Sequence, residues 1–215
     1  TTQNQKVTSS MNKEQILKDV YALVAELWCN PLDSADNSGG IQKSAEEVVK
    51  DLESIDKESA ALLSSFLGQH AISEEDYIDL FELDPQCPLY LGSHTYDEPK
   101  TCANSAVSDR NGYMIELAGI YSHFGQTPNG KELPDYLPLM VDFLSLTAEA
   151  KDDPVRDKLI REYFLPFLGP LRSRLGELKT HYLYLLDALE RVLNIELNSQ
   201  TLSVATEQKV ESYVG

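Results

Sequence analysis

The sequence lacks any apolar run long enough to cross a membrane. Its longest apolar stretches, such as residues 136–141 and 163–168, fall far short of the roughly 18 residues that a membrane helix needs. The polar amino terminus also lacks the apolar core of a signal peptide. We therefore expect a cytoplasmic protein without stable membrane association.

Cysteine and histidine are scarce as well. The three cysteines are an odd number without C-x-x-C spacing, so they predict neither a disulfide framework nor a zinc site. The four histidines form no H-E-x-x-H or E-x-x-H pair of the kind found in zinc enzymes or helical di-iron proteins. We therefore expect no metal and no cofactor.

Catalytic motifs are absent or incomplete. Residues 125–131 read G-x-x-x-x-G-K, but Glu132 stands where a phosphate-binding loop needs Ser or Thr for magnesium, and no strand pattern precedes it. Turn-forming residues explain this segment as a hinge. No G-x-S-x-G motif occurs, and nothing local pairs a cysteine with a histidine for catalysis. We therefore expect that the chain is not an enzyme.

Basic residues are few, and the acidic ones are unevenly distributed. The net charge of -17 argues against nucleic acid or an anionic membrane as a partner. Residues 1–150 hold 9 basic and 25 acidic groups, whereas residues 151–191 hold 8 and 7. This asymmetry serves solubility or speeds the capture of a basic ligand, and composition does not separate the two.

Helical periodicity dominates the rest of the chain, without strand alternation. The sequence predicts an all-α, single-domain helical bundle at residues 11–198, with a long ordered loop at 87–103 and a hinge at 125–131. Residues 1–10 are predicted to be a disordered tail or an expression remnant, and residues 199–215 a loose carboxyl-terminal tail.

Several helix ends follow from caps and breakers. The first helix is predicted from about Asn12 to Cys29 and the last from Tyr182 to Leu197. Between them, residues 154–178 form a long helix that prolines and glycine at 166–170 bend or interrupt.

The segment 132–144 predicts a helix with two different faces. Pro138 is tolerated only in the first helical turn, which indicates Asp135 as the N-cap. Apolar residues then recur at spacings of three and four positions. Asp135 and Asp142 are seven positions apart, which predicts that they share another face of the helix. Two interpretations remain: a peptide groove with acidic groups, or a capped amphipathic helix whose carboxylates are solvated.

Three short blocks in a fixed order resemble a known family. They are residues 77–81 (YIDLF), 88–93 (PLYLGS) and 132–136 (ELPDY). Together they resemble the TorD, DmsD and NarJ type of molybdoenzyme-specific chaperone, also described as the nitrate reductase delta-subunit or redox-enzyme maturation family. In that family the third block commonly reads Asp-His, and here Tyr136 takes the histidine position.

The resemblance implies a cytoplasmic, all-helical chaperone and not an enzyme. Its expected partner is the catalytic subunit of a molybdenum-containing oxidoreductase, whose amino-terminal and often twin-arginine leader it would bind while the cofactor is loaded, before export. A monomer or a domain-swapped homodimer is expected. The peptide-binding residues implied by position, with Asp142 added from the charge pattern, are Tyr90, Leu91, Gly92, Ser93, Glu132, Pro134, Asp135, Tyr136 and Asp142.

Two other functions remain open at this point. One is a helical adaptor that assembles protein complexes without reading a leader. The other is a nucleotide-using maturation factor, which the incomplete phosphate-loop pattern suggests. For Tyr77, Leu80 and Phe81, helical spacing favours core packing over ligand binding.

We predict no ATP hydrolysis and at most weak nucleotide binding, because Glu132 replaces the hydroxyl that holds magnesium. Titration of the wild-type chain and of Lys131→Ala with ATP should give the same negligible signal. Micromolar binding that Lys131→Ala abolishes would contradict this prediction.

Overall fold

The computed structural model describes residues 2–31, 43–96, 108–127 and 130–211, and the side chains of residues 13–31, 43–96, 108–127 and 130–198. Within these ranges every regular element is a helix or a helical turn, and the extended pairing is a single bridge between Tyr90 and Tyr136. The predicted all-α class is confirmed. Part of the predicted loop, residues 97–103, and residues 128–129 of the hinge lie outside the described ranges.

The α-helices are α1 (Thr2–Leu27), α2 (Ala45–Glu53), α3 (Lys57–Leu67), α4 (Glu74–Phe81), α5 (Asp109–His123), α6 (Leu137–Leu146), α7 (Pro154–Lys158), α8 (Leu165–Glu177) and α9 (Tyr182–Glu211). Two short 3₁₀ segments, Leu91–His94 and Ala148–Ala150, and a π-helical segment, Leu159–Phe164, complete the described elements.

Side-chain caps determine where several helices begin. Ser44 and Glu47 form the predicted capping box at α2, in which each side chain bonds the other residue's backbone N–H. Ser73 caps α4 as predicted, and Ser108 caps α5. These bonds satisfy amide groups that a helix start otherwise leaves without a partner.

The first and last helices are longer than the sequence predicted. Helix α1 begins at Thr2 instead of about Asn12, and α9 continues past Leu197 to Glu211. Weak apolar periodicity is the reason why the sequence predicts tails at both segments. Neither contains a glycine or proline that would end a helix, so the backbone hydrogen-bond ladder continues.

The core joins the amino-terminal and carboxyl-terminal helices. Helix α1 packs on α6 and on α2, while α9 packs on α3 and α8. Trp28 is completely buried, with its ring centroid 6.1 Å from that of Phe81 and 5.1 Å from that of Tyr182. Tyr77 and Phe81 are buried as predicted, and Leu80 is partly buried against the same core.

The predicted interruption of the helix at 154–178 lies earlier than its prolines. The ladder widens over Leu159–Phe164, where the Leu165 N–H donates to the Ile160 carbonyl five residues back. Pro166 then stands at the start of α8, where its missing N–H costs little. Pro170 lies inside α8 without ending it. The wider turn therefore absorbs the disruption that a proline causes in a regular helix.

A buried ion pair ties α9 to the rest of the bundle. The Arg156 guanidinium donates from Nε to Glu196 Oε1 at 2.7 Å and from Nη2 to Oε2 at 3.2 Å. The Tyr21 hydroxyl donates to the same carboxylate at 2.7 Å, and Arg156 also donates to the Thr147 hydroxyl. All four residues are buried, so each of these bonds replaces one that water would otherwise make.

We predict that Glu196→Ala lowers the free energy of unfolding by about 3–5 kcal/mol, because it leaves the Arg156 charge buried and unpaired. Tyr21→Phe removes one hydrogen bond to the carboxylate and should cost about 1–3 kcal/mol. Urea unfolding can be followed by the fluorescence of Trp28, the one tryptophan of the chain.

Arg161→Ala serves as the control, since it breaks an exposed pair with Asp157 and should change stability by less than about 1 kcal/mol. A Glu196→Ala variant as stable as this control would show that the buried network does not support the fold.

Candidate functional site

The second and third sequence blocks meet through a short backbone bridge. The Leu91 N–H donates to the Asp135 carbonyl at 3.0 Å, and the Leu137 N–H donates to the Leu89 carbonyl at 2.8 Å. These two bonds flank the paired residues Tyr90 and Tyr136, whose ring centroids are 5.3 Å apart. Segments separated by more than forty residues are thereby held in one register.

The structure corrects the predicted capping role of Asp135. Helix α6 begins at Leu137 with Tyr136 as its N-cap, which makes no side-chain capping bond, and Pro138 is its second residue. The Asp135 carboxylate instead accepts a hydrogen bond from the Gly92 N–H at 2.9 Å. The bridge turns the side chain away from the helix and toward the 3₁₀ turn Leu91–His94.

Asp135 is completely buried, and its surroundings bear on its charge. Burial raises the pKa of its carboxyl group above the ordinary value, while the Gly92 N–H and the Arg110 guanidinium oppose that rise. Arg110 Nη2 lies 3.8 Å from Asp135 Oδ2. The other carboxylate oxygen, Oδ1, accepts no hydrogen bond from the described residues. The buried carboxylate is therefore only partly hydrogen-bonded.

Gly92 is required by close packing. A Cβ added at this position would stand 2.8 Å from Asp135 Oδ2 and 3.3 Å from the Tyr113 ring. The second block therefore has glycine here because the carboxylate approaches its backbone from one side and an aromatic ring from the other.

An aromatic layer supports this contact from behind. The Tyr113 ring stacks on Phe167 with a centroid separation of 4.3 Å, and its hydroxyl donates to the Tyr163 carbonyl at 2.8 Å. Tyr163 belongs to the π-helical segment, and Tyr96 packs against both Tyr113 and Phe167. Helix α5 is thereby fastened to the carboxyl-terminal helices directly beneath Gly92.

The first block reaches the same place through Tyr77. Its buried hydroxyl donates to the Trp28 carbonyl at 2.7 Å, and its side chain lies close enough to Tyr136 for each to influence the pKa of the other. Burial raises the pKa of both Tyr77 and Tyr136, so both hydroxyls remain protonated. All three blocks therefore converge on one point of the fold.

The outer side of this junction is partly open to solvent. The Tyr90 hydroxyl donates to Glu132 Oε2 at 2.5 Å, and desolvation together with this bond raises the pKa of Tyr90 to about 12. Leu133 is 48% exposed, while Tyr90, Glu132 and Tyr136 are partly exposed. We call these four residues the corner surface; it combines a carboxylate, two rings and an exposed leucine.

The remaining predicted residues surround the corner surface. The Ser93 hydroxyl donates to the Tyr90 carbonyl at 2.6 Å, and the Tyr121 hydroxyl donates to the Pro134 carbonyl at 2.6 Å. Ser93 and Pro134 are half-buried, whereas Leu91 and Gly92 are fully buried. The predicted residues thus form two layers. A ligand could contact the outer layer, and the inner layer supports the outer one.

Asp142 does not share a face with Asp135, contrary to the prediction. Asp135 lies before α6 and is buried, whereas Asp142 lies within α6 and is exposed. Asp142 lines a recess with Tyr121, Gln126 and Leu146. Its apolar surroundings raise the pKa of the carboxyl group even though the side chain reaches solvent. The predicted continuous acidic face of this helix is therefore wrong.

Sequence reasoning missed three residues that shape the site: Arg110, Tyr113 and Tyr121. They lie on α5, which belongs to none of the three blocks. Helical spacing places Tyr113 and Tyr121 among buried residues of α5, but no sequence signal indicates that they face Gly92 and Pro134. That contact depends on how α5 packs across the chain.

Two glycines of the incomplete phosphate-loop segment have turn-forming backbone angles. Gly125 and Gly130 have φ angles of 70° and 76°, in the left-handed region that favours glycine. Among the described residues, no strand precedes it and no group of three or more His, Cys, Asp or Glu side chains could hold a metal ion. In the same part of the chain, no helix is both long and apolar enough to span a membrane.

Comparison with known proteins gives one family and several relatives. The family model described as nitrate reductase delta subunit matches residues 50–171, which include all three blocks. The nitrate reductase molybdenum cofactor assembly chaperone NarJ of Escherichia coli (strain K12) is 25% identical over 168 residues, covering 75% of this chain and 65% of the relative. This chain therefore spans less than two thirds of that relative's length.

Two further relatives carry similar names. The probable nitrate reductase molybdenum cofactor assembly chaperone NarW of Escherichia coli (strain K12) is 27% identical over 130 residues, or 60% of this chain and 51% of the relative. The probable chaperone NarJ of Bacillus subtilis (strain 168), with the same described role, is 31% identical over 116 residues, or 54% and 55%.

We predict that Gly92→Ala destabilises the protein by about 1–3 kcal/mol, because its methyl group overlaps the Asp135 carboxylate. Asp135→Ala removes that overlap, so the double variant should lose less stability than the sum of the single losses. Urea unfolding of the four proteins measures the coupling.

Gly119→Ala is the matched control, since a methyl group there meets no atom within 4 Å and lies inside helix α5. It should stabilise the protein by about 0.5–1 kcal/mol. Additive losses in the double variant would contradict the packing explanation for Gly92.

Proposed function

This chain belongs to the nitrate reductase delta subunit family, and we propose that it is an assembly chaperone for the catalytic subunit of a nitrate reductase or a related molybdenum-containing oxidoreductase. The support is that the relatives over the same region are named as molybdenum cofactor assembly chaperones. These names agree with the expectation that the chain is not an enzyme. On this proposal the molybdenum cofactor belongs to the client protein.

The observation that carries the proposal is the convergence of the three blocks at the corner surface. Each block lies within the family match, and together they place Glu132 beside Tyr90 and Tyr136 with the exposed Leu133 next to them. A binding surface of this composition suits an extended or helical peptide that is both basic and apolar. Carboxylates form charge-assisted bonds with arginine, while rings and leucine take apolar side chains.

We further propose that the peptide is the amino-terminal leader of the client. Glu132 accepts one hydrogen bond from Tyr90, and a carboxylate has room to accept more from an arginine guanidinium. The charge asymmetry supports the same ligand, because residues 1–150 carry 25 of the 35 acidic groups and only 9 of the 18 basic ones. Electrostatic attraction would draw a basic leader toward residues 1–150.

The buried residues of the predicted site have a supporting role in this proposal. Asp135, Leu91 and Gly92 are buried and therefore offer a peptide almost no surface. Asp135 instead holds the Gly92 turn, and through the adjacent bridge it holds Tyr90 beside Tyr136. Substitution of Asp135 would then weaken leader binding by disturbing the corner surface, together with a measurable loss of stability.

We predict that calorimetry will detect binding of a synthetic amino-terminal leader of a nitrate reductase catalytic subunit from the same genome. Binding should weaken with added salt and when the basic residues of the leader are replaced by alanine. Glu132→Gln should weaken binding by roughly ten- to a hundredfold, because it removes a charged hydrogen-bonding partner.

Glu53→Gln provides the control, since it makes the same chemical change at an exposed position of α2. It should bind the leader like the wild type. Should the wild-type chain ignore the leader yet bind the folded client, the adaptor interpretation replaces leader recognition.

A further inference from the structure

The outer face of α6 carries a recess beside the corner surface. Leu139, Asp142 and Leu146 lie at spacings of three and four and therefore share one helix face. Tyr121, Gln126 and Thr127 also line the recess, which is open on one side and has a volume of about 70 Å³. This volume suits the end of one apolar side chain, since it is several times the roughly 10–15 Å³ that a single water molecule needs.

Asp142 is the one charged group lining the recess, and it makes no ion pair or hydrogen bond with the described residues. Apolar contacts raise the pKa of its carboxyl group, and no neighbouring cation counters that effect. Other carboxylates in this part of the chain have partners: Asp153 bonds His123, and Asp157 bonds Arg161. A carboxylate placed among apolar side chains without a partner gains when a cation arrives from outside.

The apolar side of the recess is also left incomplete. Leu146 is 57% exposed although it is the last residue of a helix whose other face is buried core. Leu139 is only partly buried at the same wall. The exposed leucine and the unpaired carboxylate stand one helical turn apart, so a single short segment could cover both.

We propose that this recess determines which leaders the chain binds: it takes one apolar side chain of the leader, while Asp142 pairs with a lysine or arginine about one helical turn away in the same peptide. This inference rests on the proposed function and adds a sequence rule to it. The rule is an apolar residue and a basic residue three or four positions apart, the spacing at which two side chains of a helix face the same surface.

The position and charge of the recess favour the leader over a second copy of this chain. Tyr121 lines the recess, and its hydroxyl bonds the Pro134 carbonyl at the edge of the corner surface, so one peptide can follow both. A second copy would bring a net charge of -17 toward an acidic site and would be repelled. A basic leader has the complementary charge.

The test combines variants of the chain with variants of the synthetic leader, measured by calorimetry. Asp142→Asn should weaken binding about tenfold or more, since it removes the charge and keeps the shape. Leu146→Ala should weaken it several-fold through lost apolar contact, and Asp142→Lys should abolish it. Asp142 and Leu146 are exposed, so these variants should fold like the wild type, and Glu53→Gln again controls for net charge.

A leader scan identifies the partner of Asp142. Replacing the correct basic residue of the leader by alanine should weaken binding to the wild-type chain and leave binding to Asp142→Asn unchanged from that variant's own value. If both Asp142→Asn and Leu146→Ala bind the leader as tightly as the wild-type chain does, the proposed role of the recess is wrong and the proposed function still stands. A wild-type chain that binds no leader would overturn both.

Discussion

The buried contact between the Asp135 carboxylate and the Gly92 N–H is the constraint on which the site depends. It fastens a turn of the second block to Asp135, two residues before α6, and the neighbouring backbone bonds align Tyr90 with Tyr136. Burial of this carboxylate costs free energy, because a charge removed from water is tolerated only where hydrogen-bond donors and a cation face it. Gly92 and Arg110 fill these roles. The same closeness leaves no room for any side chain at position 92.

A well-packed junction beneath the surface holds the outer residues in place and leaves them accessible to a ligand. Glu132 lies before the start of α6 beside the rings of Tyr90 and Tyr136, and Asp142 lies within α6 in an apolar recess. Neither position would keep its geometry on a mobile loop. Ligand sites placed on well-packed elements retain their shape, so less binding energy is spent on ordering them.

The carboxyl-terminal helices hold this arrangement in place. The π-helical segment places the Tyr163 carbonyl where the Tyr113 hydroxyl donates to it, which fixes α5 behind Gly92. The buried pair of Arg156 and Glu196 joins α9 to α1 and to the end of α6. Residues 151–191 are nearly neutral, with 8 basic and 7 acidic groups. Negative charge is therefore concentrated in residues 1–150, which carry both proposed peptide contacts.

The sequence by itself determined the helical class, the capped helix starts and the three blocks, because these depend on local spacing and on side chains that bond their own backbone. Only the tertiary structure determined the environments of Asp135 and Asp142. Asp135 resembles an N-cap in sequence, yet its carboxylate turns inward to a backbone amide forty-three residues away. The predicted shared face of Asp135 and Asp142 failed for the same reason, since helical spacing holds only inside a helix and Asp135 lies before it. Which carboxylate is buried and which stays open depends on contacts between distant segments, and no local pattern encodes them.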